Sequence, residues 1–252
     1  MTQLDELDDI LKKYLGIVDL LISFIPYKKA ELWKNFFLNP LKIVAEAKNV
    51  TVPSILIDLY VVALLGLVIS AIFSYLPQLL IQYVVNPVAF IALISLLVVI
   101  FALSSVIALI SPILSLLYAG FEFILAKLLG GTANFSRHLF ASVMPHLGMF
   151  IIMLPIYILI NLSSALTSIP TVGTACACLL FPLEVVLLFV WVYSIYLKFL
   201  ALREVHKVSS LKTIIIIVLP LLVVILVVIV LLLILWASLL GLWMSFMPQM
   251  AS

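Results

Sequence analysis

The last long apolar run of this chain decides its fold, and it occupies residues 213–246: TIIIIVLPLLVVILVVIVLLLILWASLLGLWMSF. The run contains no charged residue, and it is longer than the about 20 residues that an α-helix needs to cross the hydrocarbon of a bilayer. A surface helix of a water-soluble protein would show a polar face with a helical period, and none is present. We therefore expect a transmembrane helix here.

The composition extends this expectation to the whole chain. Of the 252 residues, 67% are apolar and only 10% are charged, whereas about 25% charged residues are typical of soluble domains. A soluble domain of this length cannot bury so much apolar surface. The formal net charge of +2 offers no basic surplus for a nucleic-acid backbone. Soluble globular, disordered and nucleic-acid-binding classes are thereby excluded, and the lipid bilayer is the expected surrounding.

Earlier apolar runs predict further spans. The run 88–129 is too long for one straight span, yet no polar turn divides it at Ser111-Pro112. We interpret it as one span near 105–128 that Pro112 kinks, preceded by an apolar stretch near the outer interface. The sequence thus predicts an all-α integral membrane protein, a bundle of five transmembrane helices with amphipathic N-terminal helices. The predicted spans are 53–76, 105–128, 139–161, 175–201 and 213–240.

The basic residues orient these spans, because Lys and Arg favour the cytoplasmic side of a membrane. With five spans and a cytoplasmic N-terminus, all 13 Lys and Arg residues fall on that side. A sixth span would place Lys127 and Arg137 outside. We predict a multi-pass protein with a cytoplasmic N-terminal region (1–50), a transmembrane domain (51–246) and a short external tail (247–252). Trp236 and Trp243 are expected near the outer interface.

Residues 1–50 form the only sizeable polar region of the chain. Apolar residues recur every three or four positions from Leu4 to Ile25, and a second stretch contains Trp33 and Phe36. These patterns predict two amphipathic helices. Such helices lie on a membrane surface, bind a protein partner or cover the chain's own loops, and the pattern leaves all three alternatives open.

Ionisable residues inside the predicted spans are the first candidates for function, since a charge there is costly. Asp58, Glu122 and Lys198 share a similar depth near the inner ends, together with Lys127 at the end of the second span. An inner polar collar, in which carboxylates pair with lysines, is the structural interpretation. Because Lys127 is five residues from Glu122 on the same helix, any partner of Glu122 must come from another helix.

Two further candidates stand apart from this collar. Glu184 lies about two turns into the fourth span from the outer side, far from any basic residue. We expect it to be protonated, hydrogen-bonded to Asn161 or a hydroxyl, or reached by water, and a relay role is the functional alternative. His146 follows Pro145 at the start of the third span and is a candidate for a proton path with Glu122.

Signatures of enzymatic chemistry are missing from the sequence. It contains no H-E-x-x-H, G-x-S-x-G or Walker motif, and the three histidines are scattered. Cys176 and Cys178 are too close in sequence to favour a mutual disulfide. We expect no catalytic residue, no cofactor and no metal.

Several flanking motifs match a family pattern: Asn39-Pro40 before the first span, Gly130-Gly131 after the second, then Phe135 and, at the start of the third span, Pro145. Residues 35–235 resemble the Yip (Ypt-interacting protein) domain family through these motifs. The resemblance implies five spans, a cytoplasmic N-terminus and an outer C-terminus. Eukaryotic members bind small GTPases in vesicle traffic and carry a cytoplasmic Asp-Leu-Tyr-Gly-Pro motif. In this chain Asp58-Leu59-Tyr60 is followed by Val61-Val62 inside a span.

The motif residues also have expected roles in the fold. Gly130-Gly131 would close the second span with a left-handed cap, and Ser136 is a candidate N-cap of the third span.

Three functions compete at this stage. The first is a non-enzymatic adaptor or scaffold of the Yip type, whose partners bind residues 1–50 and the inner loops and which is a possible homo-oligomer. The second is a small transporter or channel that uses Glu184, Glu122 and Asp58. The third is a membrane-shaping protein that acts through its N-terminal helices and the stretch 88–104.

Overall fold

The computed structural model describes residues 3–23, 30–47, 50–85, 89–167 and 173–250. These residues form helices and the short turns between them, without a strand. The helices are α1 (Gln3–Ser23), α2 (Ala30–Leu38), α3 (Pro40–Glu46), α4 (Val52–Val85), α5 (Ala89–Ala108), α6 (Ile110–Leu128), α7 (Phe135–Leu166), α8 (Gly173–His206) and α9 (Ser210–Met250).

Five helical segments in the described part of the chain are long and apolar enough to cross a membrane, as predicted. They are Val52–Phe73, Val98–Leu128, Phe135–Leu166, Gly173–His206 and Ser210–Leu239. The helices extend beyond the predicted spans, because a helix continues past the hydrocarbon wherever its backbone remains hydrogen-bonded. Consequently Pro145 and His146, predicted at the start of the third span, lie well inside α7.

The helix of the second span is interrupted three residues before Pro112, the residue at which the sequence predicts a kink. Helix α5 ends at Ala108, a turn at Leu109 bonds back to Val106, and α6 begins at Ile110. Pro112 has no backbone N–H for the carbonyl of Ala108, and its ring crowds that carbonyl, so the regular ladder is interrupted there. The missing backbone donor of Pro112 is a physical reason for this interruption.

Helix α7 is the centre of the bundle and packs against α8, α4, α2, α6 and α1. Most of its residues from His138 to Ile156 are buried. Helix α9 is the opposite case: its side chains from Leu221 to Leu239 are all exposed in the isolated chain and almost all apolar. A helix that is apolar all round and exposed belongs in lipid, so the bundle presents its surface to a bilayer.

The N-terminal helices pack on the bundle itself. Trp33 and Phe36 of α2 are fully buried, and the ring of Phe36 meets Phe140 of α7 edge-on at 6.0 Å. The hydroxyl of Tyr14 on α1 donates a hydrogen bond to the carbonyl of Ile152. This face of the region therefore covers helix α7 of the chain itself, whereas the corresponding alternative in the sequence analysis named the chain's own loops.

Two loops meet at one end of the bundle, here called the basic end, which comprises residues 127–137 and 203–212. The backbone N–H of Thr132 donates to the carbonyl of His206 at 3.3 Å, and Nζ of Lys212 donates to the carbonyl of Leu129 at 2.7 Å. The predicted inner segments that carry Arg137 and Arg203 therefore share one end, as the charge pattern requires.

Some predictions concern residues outside this description. The side chain of Trp243 and residues 251–252 of the predicted tail lie outside the described residues, whereas residues 247–250 continue α9. Lys28, Lys29 and Lys48 of the N-terminal region also lie outside them.

Candidate functional site

The most concentrated polar feature of the described chain is a buried group of side chains near the basic end, which we call the polar cluster: Glu122, His138, Ser142, Lys198 and His206. Glu122 is fully buried on α6, and Lys198 is buried on α8. Nζ of Lys198 lies 2.6 Å from Oε1 of Glu122, and the hydroxyl of Ser142 on α7 donates to Oε2 at 2.6 Å. These two partners of Glu122 come from other helices, as expected, and Tyr118, one turn away on α6, interacts with the carboxylate as well.

The second half of the polar cluster is a pair of histidines. Nδ1 of His138 and Nε2 of His206 are 2.8 Å apart, so one ring must donate a hydrogen bond to the other. Nε2 of His138 lies 3.8 Å from Oε2 of Glu122. The ring of Phe123 packs on both imidazoles at centroid distances of 5.5 and 6.4 Å. The result is a continuous row from Lys198 through Glu122 and His138 to His206.

Sequence reasoning missed this histidine pair, because the three histidines are widely spaced along the chain. His138 lies in the first turn of α7 and His206 is the last residue of α8. Both positions are helix ends next to a loop at the basic end. That shared position is the signal that could have indicated their contact, once the two loops were assigned to the same side.

The glycine motif shapes the floor of the polar cluster. Gly130 has a φ of 91°, the left-handed conformation that the sequence predicts for it. Gly131 donates to the carbonyl of Ala126 at 2.7 Å, and a Cβ at this position would meet that oxygen and the His206 ring. The absence of a side chain at Gly131 thus lets the loop approach His206.

The other motif residues have structural positions. Phe135 packs edge-on against Phe123 at 5.3 Å, and Pro145 is buried within α7. Asn39 precedes α3, with Pro40 in its first turn. The N-cap of α7 is Asn134, whose side chain accepts from the N–H of Arg137 at 3.0 Å, so the assignment of this role to Ser136 is wrong. The N-cap is Asn134 because α7 begins one residue before Ser136.

A cleft between α6 and α8 opens onto the polar cluster. This α6–α8 cleft has a volume of about 230 Å³ and is lined by Leu114, Ser115, Tyr118, Ser142, Val143, His146 and Lys198. Nζ of Lys198 lies 4.7 Å from the centre of the Tyr118 ring. His146 is exposed through the cleft although its neighbours on α7 are buried. The predicted candidate His146 therefore faces the cleft, with Lys198 at its base.

The remaining two predicted candidates lie on α4 and α8. Asp58 is buried on α4. Glu184 is exposed on α8, and it makes no hydrogen bond or ion pair with another described residue. Asn161, proposed as its partner, instead accepts from the hydroxyl of Ser70 at 2.9 Å and donates to the carbonyl of Tyr157 at 2.8 Å.

An apolar layer separates the polar cluster from the Ser70–Asn161 pair. Met144, Leu147 and Ile151 follow Ser142 along α7 and are each at most 1% exposed.

Within the described residues, no group of three or more His, Cys, Asp or Glu side chains has the arrangement of a metal site. The contacts within the polar cluster join α6, α7 and α8, and its row of titratable groups is suited to moving a proton over a short distance.

The comparisons with known proteins add no relative. No protein-family model, no curated protein and no solved structure matches the chain. The resemblance to the Yip family therefore stays a prediction that rests on the sequence motifs, and the chain is described by its own architecture as an all-α protein with five helices of membrane-spanning character.

Proposed function

We propose that the chain is a non-enzymatic, multi-pass membrane scaffold or adaptor, similar in kind to Yip-domain proteins. Its inner face would consist of the N-terminal helices and the basic end, on the cytoplasmic side. The observation that carries this proposal is that both carboxylate oxygens of Glu122 already have partners within the protein. One carboxylate oxygen is paired with Lys198 and the other accepts from Ser142, in a fully buried place.

A carboxylate so engaged stabilises the contact between α6, α7 and α8 and is poorly suited to bind and release a transported ion. Transport also needs a hydrated path, usually lined by interrupted helices. The buried layer of Met144, Leu147 and Ile151 opposes such a path along α7. Both observations favour a structural role for the polar cluster.

The partner surface of this scaffold would be the charged, exposed side of α1 together with the loops of the basic end. Asp9 and Lys13 form an exposed ion pair along α1 at 2.6 Å. The resemblance to the Yip family implies a small GTPase as one partner class.

The swapped variant D9K/K13D tests this surface. It keeps an ion pair within the helix and reverses the charges that α1 presents to a partner. We therefore expect partners captured from native membranes to be lost while the fold is retained.

A proton transporter is the second candidate, because the row from Lys198 to His206 begins at the α6–α8 cleft. Proteoliposomes with an internal pH dye distinguish the two functions. For a scaffold, we expect proton flux equal to that of empty vesicles, with and without a membrane potential. Flux that the wild-type chain supports and that E122Q abolishes would overturn the scaffold proposal in favour of transport. E46Q, the same change of carboxylate to amide at an exposed position on α3, is the matched control.

A further inference from the structure

Helix α1 has three different faces along its described side chains. One face packs on the bundle and includes Tyr14, Val18 and Ile22. A second face is polar and exposed and includes Asp9, Lys12, Gly16 and Asp19. The third face is mainly apolar and exposed: Ile10, Ile17 and Leu20 are 60%, 50% and 59% exposed, and the exposed side chain of Lys13 lies between those of Ile17 and Leu20.

At about 100° per residue, the centres of these faces are separated by roughly a third of a turn. Such a helix can contact protein on one side, lipid on the second and water on the third. An amphipathic helix that lies in a membrane surface has this division between lipid and water. The bundle occupies the remaining side of α1. In a surface helix without a protein neighbour, that side would contact the headgroups of adjacent lipids.

The position of α1 and α2 along the bundle agrees with a membrane surface. Tyr14 reaches the carbonyl of Ile152, and α2 lies against Gly148, where a Cβ would be 2.7 Å from the carbonyl oxygen of Trp33. The ring of Phe37 meets Tyr193 of α8 edge-on at 5.2 Å. Helix α2 therefore lies at the height of Gly148 on α7 and Tyr193 on α8, and the contact of α1 with α7 lies about one turn further along, at Ile152.

At the same height α8 exposes an aromatic band. Trp191, Tyr193 and Tyr196 are all exposed within two turns of the helix. Trp and Tyr concentrate where hydrocarbon meets headgroups, because their rings are apolar and their polar atoms bind water. This band is a second, independent indication of a bilayer boundary.

The lengths of α7 and α8 beyond this height agree with the thickness of the hydrocarbon core. From Tyr193 to the first residue of α8, Gly173, the helix rises about 30 Å, and from Gly148 to the end of α7 at Leu166 it rises about 27 Å. The hydrocarbon core of a bilayer is about 30 Å thick. One membrane surface at the height of Tyr193 thus leaves one hydrocarbon thickness to the opposite helix ends.

We propose that α1 lies in the membrane surface on the side of the basic end, with Ile10, Ile17 and Leu20 inserted at the boundary between headgroups and acyl chains, and that this surface crosses α8 at Tyr193. The occupant of the apolar face is therefore bilayer lipid. The polar cluster then lies beyond this surface, buried in protein, since Lys198 is about 8 Å further along α8. The inference goes beyond the proposed function and does not depend on it.

Two adjacent positions give a matched test, because Ile17 is on the apolar face and Gly16 is on the polar face. A Cβ at Gly16 has no atom within 4 Å, and Ile17 is half-exposed, so neither I17C nor G16C should disturb the fold. Cys176 and Cys178 are free and are first replaced by Ser. The full chain is reconstituted in vesicles of phosphatidylcholine and phosphatidylglycerol, and a nitroxide is attached at each position in turn.

The measurement is the collision rate of the nitroxide with oxygen, which concentrates in lipid, and with a water-soluble nickel complex. We expect the ratio of oxygen to nickel collisions to be several-fold higher at residue 17 than at residue 16. A nitroxide introduced by Y193C should report a depth near the headgroups. Equal ratios at residues 16 and 17, or shielding of residue 17 from both reagents, as a protein partner or second copy would cause, would overturn the proposal. A deep position for residue 193 would overturn it as well.

Discussion

Glu122 and Lys198 form a buried ion pair that joins α6 to α8. Removing one member of a buried ion pair leaves the other charge without compensation, which costs about 3–5 kcal/mol. Replacing both members with neutral side chains of similar size is far less costly, because no buried charge remains. The size of the loss in stability therefore depends on whether one member of the pair or both members are replaced.

We expect K198M to lower the free energy of unfolding in detergent micelles by about 3–5 kcal/mol. The double variant E122Q/K198M should recover most of that loss. The wild type, K198M, E122Q and the double variant form a double-mutant cycle, from which the coupling free energy between the two side chains is obtained. A loss below about 1 kcal/mol for K198M would contradict the assignment of a buried, charged pair.

Gly131 offers a second test at the scale of one residue. In G131A the new methyl group would meet the carbonyl of Ala126 and the ring of His206, so the loop and the histidine pair must separate. We expect a loss of about 1–3 kcal/mol, as for overpacking in a core, visible as a lower unfolding temperature. G120A is the matched control: it lies inside α6, and its Cβ would have open space. An equal loss in both variants would refute the proposed contact.

At the scale of elements, the docking of the N-terminal helices on α7 depends on one small residue. A Cβ at Gly148 would lie 2.7 Å from the carbonyl oxygen of Trp33 and 3.0 Å from Cβ of Phe37. We expect G148A to weaken the contact of α2 with α7 and to increase hydrogen exchange in α2 several-fold. Exchange in α6 should not change. Unaltered exchange throughout α2 would show that the two helices do not meet at this glycine.

The contact of α1 with α7 should depend on pH through Tyr14. Burial raises the pKa of the Tyr14 hydroxyl from 10.0 to about 12, because the ionised form is poorly solvated there. The docked state thus holds its proton more tightly than the undocked state, so docking is undiminished below pH 10 and weakens as the pH rises towards 12. A nitroxide at residue 16 should gain mobility over this range. In Y14F the same range should produce no such change.

At the scale of the whole molecule, five membrane crossings would place the two ends of the chain on opposite sides of the membrane. In sealed vesicles an impermeant thiol reagent should label G16C and K207C from the same side, in a background without Cys176 and Cys178. A tag at Ser252 should be accessible only from the other side. Access to Gly16 and Ser252 from one side would exclude the five-span topology.

The apolar surface of the bundle is not equally tall on all sides. The segment Ser210–Leu239 of α9 rises about 43 Å, and α6 exposes Ile124 and Leu128 close to the basic end. Beside α8 the proposed apolar height is only about 30 Å. Helix tilt and local thickening of the bilayer are the ordinary responses to such a difference. This asymmetry is a physical basis for the third function considered above, an effect on membrane shape.

The sequence alone determined the fold class, the number of spans and the grouping of the basic residues. These properties follow from local quantities: the length of each apolar run, the fixed thickness of hydrocarbon and the cost of charge within it. The left-handed conformation of Gly130 belongs to the same group, since a glycine pair after an apolar helix indicates a cap. The need of Glu122 for a partner on another helix was also local, because helix spacing excluded Lys127.

Only the tertiary structure decided which side chains meet. The pairing of His138 with His206, the role of Ser142 and the exposure of Glu184 depend on how α6, α7 and α8 are rotated about their axes. In lipid-facing helices that rotation leaves little trace in the sequence, since both the lipid side and the helix-packing side are apolar. The contact of the N-terminal helices with α7 was likewise undetermined, because an amphipathic helix shows that it has an apolar surface to cover but not what covers it.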